Sequence, residues 1–167
     1  MKITLPDNSS RELPEGSSGY DLAKDIGPGL AKSAVAVSVN GVQRDLHDVI
    51  EGDASVSIIT IDSDEGIEIM RHTLTAQVLA RAIKNLYPKS KLAIGPTIDD
   101  GFYYDVESEK SISSDDLSKI EDEMKKIIKT KSSITKKLVS KSEALKVFKE
   151  NKESYKAVSY THLTLPT

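Results

Sequence analysis

The chain has 167 residues, 38% hydrophobic and 29% charged, with a formal net charge of −3; that is ordinary for one globular domain or two small ones. It holds no Cys and only 3 His, which excludes disulfides, thiolate metal sites, a cysteine nucleophile and a His-rich metal cage, and is compatible with a reducing compartment. No apolar run reaches the roughly 18 residues of a membrane span, and the N-terminus MKITLPDNSS turns polar too early for a secretory leader.

Residues 2–5, KITL, read as a short strand, with Pro6-Asp7-Asn8-Ser9 as a turn and a second strand over Ser10–Leu13. Ser17 or Ser18 caps a helix running through Asp25, with Tyr20, Leu22, Ala23 and Ile26 as its apolar positions. Gly27-Pro28-Gly29 stops that helix, the Gly supplying a left-handed cap and the Pro refusing to continue it. In AVAVSVNGVQRDL, residues 34–46, Val35, Val37 and Val39 alternate with small residues, and Asn40-Gly41 signals a two-residue hairpin. Residues 54–61 form a last strand rich in β-branched side chains. A mixed sheet wrapped on one helix fits this order.

After a polar joint at residues 63–66, Ile67 to Leu86 reads as one long helix with an apolar arc wide enough to be largely buried, ended by Tyr87-Pro88. Residues 91–107 read as a hairpin turning at Asp99-Asp100-Gly101, the Gly supplying a positive φ. Ser113 with Asp116 forms a capping box for a helix carrying Leu117, Ile120, Met124, Ile127 and Ile128 on one side. Residues 134–139, ITKKLV, suggest a strand, and Ser140 with Glu143 opens a short helix carrying Ala144, Leu145 and Phe148. The class is α+β.

Charge is uneven along the chain. Residues 1–107 hold 10 Lys/Arg against 17 Asp/Glu, and residues 108–156 hold 13 Lys against 9 Asp/Glu. A basic second half suits a polyanion, while a solvated lysine-rich helix surface explains the same charge without one.

ITLPD, DLAKDIGPGLAKSAVAVSVNG and SIIT, within residues 1–62, resemble the TGS domain, a ubiquitin-like β-grasp. That domain occurs at the N-terminus of threonyl-tRNA synthetases, in some GTPases and in stringent-response nucleotide synthetases. GIEIMRH, AIKNLYP, AIGPTIDDGFYYDV and ESYK, within residues 63–157, resemble the start of the threonyl-tRNA synthetase editing domain. Taken together, residues 1–156 are similar to the N-terminal part of a threonyl-tRNA synthetase. The resemblance implies a β-grasp followed by an incomplete α+β editing domain. The parent enzyme would be a cytoplasmic homodimer that joins threonine to its tRNA using ATP, with Mg and a catalytic Zn. These residues would hold no cofactor, no class II catalytic motif and no dimer contact, so they would not aminoacylate. Their partner would be tRNA, and their reaction the hydrolysis of mischarged seryl-tRNA. The alternative is a non-catalytic tRNA-binding or regulatory protein built from the same modules. GFYYD and ESYK weigh against a GTPase or a stringent-response enzyme.

Three residues match editing positions: His72, Tyr104 in GFYYD, and Lys156 in ESYK. The family motif opens its helix with His-x3-His, a spacing that puts two imidazoles on one face to hold a water and the tRNA end. Read forward from Arg71, the second position falls on Ala76; read backward from residues 82–84, it falls on Gln77, with one residue gained. An i, i+5 pair on an α-helix lies roughly 140° apart, so the pair is missing in either alignment. Lys152 replaces the Gly that usually precedes ESYK. His47 reads as a surface residue without a role, and no phosphate-binding GxxxxGK[ST] or GxGxxG is present.

Residues 158–167, VSYTHLTLPT, resemble the translated end of a transposon-based sequencing adapter. The natural part of this sequence is then expected to end at Lys156 or within the Ala157 codon, the residues after it being foreign. His162 therefore enters no functional argument.

Overall fold

A computed structural model describes residues 1–93, 95–151 and 153–156. The tail expectation for 158–167 lies outside the described residues. The chain divides into two units, Met1–Met70 and the residues from Arg71 onward.

The first unit is the β-grasp. β1 (Lys2–Thr4) pairs antiparallel with β2 (Ser10–Glu12) and parallel with β5 (Ala54–Thr60). β3 (Ala34–Val39) pairs antiparallel with both β4 (Val42–Asp45) and β5, giving the order β2-β1-β5-β3-β4. Asn40 and Gly41 turn the β3–β4 hairpin with φ of 51° and 78°, the paired positive values that a tight primed turn requires. α1 (Gly19–Ile26) starts at Ser18, whose hydroxyl and backbone N–H form a capping box with Asp21. Ile3, Leu13, Leu22, Val37, Val39, Ile50, Ala54 and Val56 make the core.

Two local expectations fail in this unit. Gly27 is extended, at φ 168°, rather than left-handed, and Pro28 opens a second helix, α2 (Pro28–Ser33). Proline is tolerated at a helix's first position, where its missing N–H would be unpaired anyway. Val35 does not continue the Val37/Val39 core row. It is the extra residue of a β-bulge, since Ala34 faces Thr60 and Ala36 faces Ile59.

α3 (Asp64–Thr73) carries the chain into the second unit and continues through a π-helical turn, Leu74–Leu79, into α4 (Ala80–Leu86). The long helix is therefore real, but not largely buried: Ile67, Met70 and Leu86 are exposed. Residues 91–107 form two short antiparallel pairs. β6 (Lys91–Leu92) pairs with β9 (Val106–Glu107), and β7 (Thr97–Ile98) with β8 (Gly101–Phe102). Asp99 and Asp100 make the tip; Gly101 belongs to the strand and has no positive φ.

α5 (Ser114–Lys129) has the expected Ser113–Asp116 capping box. It buries Ile120 and packs Met124 and Ile127 beside Ala80, Ala82, Ile83 and Leu92, while Leu117 and Ile128 stay exposed. No strand forms over 134–139: Leu138 is 87% exposed, and an isolated strand without a partner has unpaired backbone on both edges. α6 (Lys141–Glu150) starts at Ser140, whose hydroxyl accepts from the Glu143 N–H. No helix among the described residues is long and apolar enough to cross a membrane.

Candidate functional site

The π-turn bears directly on the site. Its i→i+5 closure takes in one residue more than an α-turn, and the Ala80 N–H donates to the Thr75 carbonyl. Thr75 is 1% and Ala80 7% exposed: two buried positions five apart share a side. The same five-residue step separates His72 and Gln77, both exposed. The roughly 140° divergence of an i, i+5 pair belongs to a regular α-helix; here a π-turn over 74–79 takes up the gained residue, and its wider turn brings Gln77 nearer in angle to His72 than an α-helix would.

Tyr104 is half-buried beneath this helix. A Cβ built on Gly95 would lie 2.4 Å from the Tyr104 ring and 2.9 Å from the Thr75 methyl. Gly95, the Gly of AIGP, is thus the residue that lets the hairpin backbone close on Tyr104 and Thr75. The Thr75 hydroxyl donates to the Arg71 carbonyl at 2.8 Å, satisfying it inside the fold. Burial, and secondarily the charge of Glu153, push the Tyr104 phenol above its ordinary pKa. Its hydroxyl is therefore neutral at pH 7, a donor and acceptor rather than a base. Beside it an open cavity of about 570 Å³ has a mixed lining, apolar at Leu79, Ile83 and Phe102 and polar at Glu107, Lys110 and Ser111.

The ESYK segment is pinned by two of its four residues. Glu153 is buried, and its Oε1 lies 2.8 Å from the Lys84 ammonium, which also donates to the Ser90 carbonyl at 2.6 Å. Its Oε2 has no protein partner among the described residues. The Tyr155 hydroxyl donates to the Glu107 carboxylate, which also pairs with Lys91 at 2.8 Å. Lys91 and the Tyr155 hydroxyl together hold the Glu107 carboxyl below its usual range. Lys91 Nζ sits 5.8 Å from the Tyr155 ring centroid, within cation–π range. Lys156 is half-buried in the helical turn at 154–156.

His72, Tyr104 and Lys156 are each placed, but no hydrogen bond or ion pair joins them among the described residues. Sequence reasoning passed over Thr75, Gly95, Lys84 and Glu153. Gly95 and Glu153 lay inside quoted motifs, and that was the available signal. His47, read as a bare surface residue, stacks at a tilt on Tyr20, with ring centroids 5.2 Å apart. No group of three or more His, Asp or Glu among the described residues is placed to hold a metal.

Compared with known families, residues 1–60 match the TGS domain. This agrees with the sheet order and core of the first unit.

Proposed function

We propose that this chain is part of a threonyl-tRNA synthetase, combining a TGS module with the first part of a domain that hydrolyses mischarged seryl-tRNA. The observation that carries this reading is the meeting of two motifs from distant parts of the sequence. Tyr155 of ESYK donates to Glu107, which follows GFYYDV, while Glu153 of ESYK lies close enough to Tyr104 to disfavour its ionisation. A TGS domain in front of that pair supports the same parentage.

In this proposal the fold presents three groups to the tRNA end. His72 is an imidazole on an exposed helix face, able to hydrogen-bond the tRNA end but, without a second histidine beside it, contributing little to proton transfer. Tyr104 offers a neutral hydroxyl to a ribose oxygen, and Lys156 an ammonium to a phosphate. Editing serves a need that binding alone meets poorly, because a pocket made for threonine cannot strongly exclude the smaller serine. Threonine activation with ATP, its Mg and Zn, dimer formation and a cytoplasmic setting belong to the parent enzyme and, in this proposal, to residues beyond this chain.

The test is the uninterrupted gene and its product. The proposal expects the reading frame to continue past Lys156 into an aminoacylation core, and the product to charge threonine tRNA and deacylate seryl-tRNA. A genomic stop codon just after residue 167 would defeat it and favour the non-catalytic alternative.

A further inference from the structure

We infer that the pocket between the helix bearing Gln77 and Arg81 and the segment after α5 is an anion site for a nucleotide phosphate, carried there by an RNA strand. The cavity is about 360 Å³, lined on its polar side by Gln77, Arg81, Lys131, Ser132, Ser133 and Thr135, and no carboxylate lines it. Neither Arg81 nor Lys131 has an ion pair among the described residues. Most lysines nearby are different: Lys125, Lys126 and Lys137 pair with Glu121, Glu123 and Glu143. An unpaired guanidinium and ammonium facing one hollow attract a compact anion, and the guanidinium fork suits phosphate oxygens in particular.

The backbone adds donors. Among the described residues, the N–H groups of 132–135 have no protein acceptor, and Lys131 has a positive φ of 50°. A left-handed residue at the head of a run of free N–H groups helps turn those groups toward one side, where an anion can sit. The carbonyl end of α5 would oppose an anion, but two of its groups are occupied. The Ile127 carbonyl accepts from the Thr130 hydroxyl and N–H, and the Ile128 carbonyl from the Lys131 N–H. Around the pocket, residues 125–142 hold seven Lys, Lys131 included, and no Asp or Glu, with Lys125, Lys126 and Lys137 paired to carboxylates outside that span. A strand, rather than an isolated ion, makes use of that run. The RNA source rests on the proposed function; the phosphate chemistry does not.

The experiment uses the whole 167-residue chain. Backbone amide NMR shifts are followed while AMP, and separately a 12-nucleotide single-stranded RNA, is added. Binding of fluorescein-labelled RNA is measured against salt for wild type, Arg81→Ala/Lys131→Ala and the control Lys119→Ala. RNA is expected to shift Gln77, Arg81 and Ser132–Ser133. The double variant is expected to weaken binding about tenfold at low salt and to lower the log–log salt slope by about 0.7, the contribution of one phosphate on a single strand. Lys119→Ala should match wild type. RNA binding that leaves these amides unshifted and the double variant unaffected overturns the pocket, while tRNA recognition stands. Pocket shifts with AMP but none with RNA uphold the phosphate site and defeat the RNA source. Silence toward both ligands overturns the inference.

Discussion

Glu153 shows how much one side chain's surroundings decide. Its ion pair with Lys84 is largely buried, the two side chains being 11% and 28% exposed, whereas the Lys89–Glu109 pair is 77% and 66% exposed. Removing one member of a buried pair leaves a desolvated charge, but the partial exposure of Lys84 softens the cost. Glu153→Ala is expected to destabilise by about 2 kcal/mol, against less than about 0.5 kcal/mol for Glu109→Ala. Urea unfolding midpoints measure both, and equal shifts would refute the ranking. At the helix face, His72 and Gln77 stand five apart across the π-turn. In the uninterrupted enzyme, Gln77→His is expected to speed seryl-tRNA deacylation, because a positioned acid–base group contributes about 10²–10⁴-fold. His72→Ala should change the rate little. Fast wild-type hydrolysis that collapses in His72→Ala would reverse that order.

Among the elements, α5 depends most on its start. The Ser113 N–H and hydroxyl both reach the Asp116 carboxylate, and Lys119 lies 3.0 Å from it. These contacts lower the Asp116 pKa to about 2, the Ser113 backbone bond first among them. Its contribution is therefore complete above the unfolded carboxylate value near 4 and is lost as pH falls from there toward 2. Asp116→Asn is expected to lower the thermal midpoint at pH 7 and to converge on wild type as pH falls below 2, where the folded carboxyl is itself protonated. A difference that stays undiminished as pH falls through 2 would mean the box acts without the charge. Ser113→Ala is expected to cost about 1 kcal/mol at neutral pH by the same measurement, as helix caps do. The segment after α5 carries no such device: residues 131–139 are exposed throughout and form no strand, despite ITKKLV.

For the whole molecule, two cores suffice for two units. One is built on Ile3, Leu22, Val37 and Val56, the other on Ala82, Ile83, Leu92 and Ile120. On the expectation that residues 158–167 are foreign, their deletion should change stability by less than about 0.5 kcal/mol, the usual range for changes away from packed features. A thermal melt of the shortened chain checks this, and a loss of several kcal/mol would show that the tail belongs.

Sequence by itself determined the elements whose signals are local. Asn40-Gly41 named its hairpin because few other residues accept two positive φ values, and Ser18 and Ser113 named helix starts because their capping partners lie three residues away. The β-branched alternation of 34–39 and 54–60 placed the sheet. What needed a partner was not legible. ITKKLV has a strand's composition but nothing to pair with, and Pro28 starts a helix rather than closing a loop. The effect of the gained residue near His72 was undecidable from spacing, since an α-helix would have split His72 from Gln77. Only the folded chain shows the π-turn at 74–79, with Thr75 and Ala80 both buried. Gly95, Tyr104 and Thr75 likewise met only when the hairpin closed on the helix, because side chains far apart in sequence meet through tertiary contact alone.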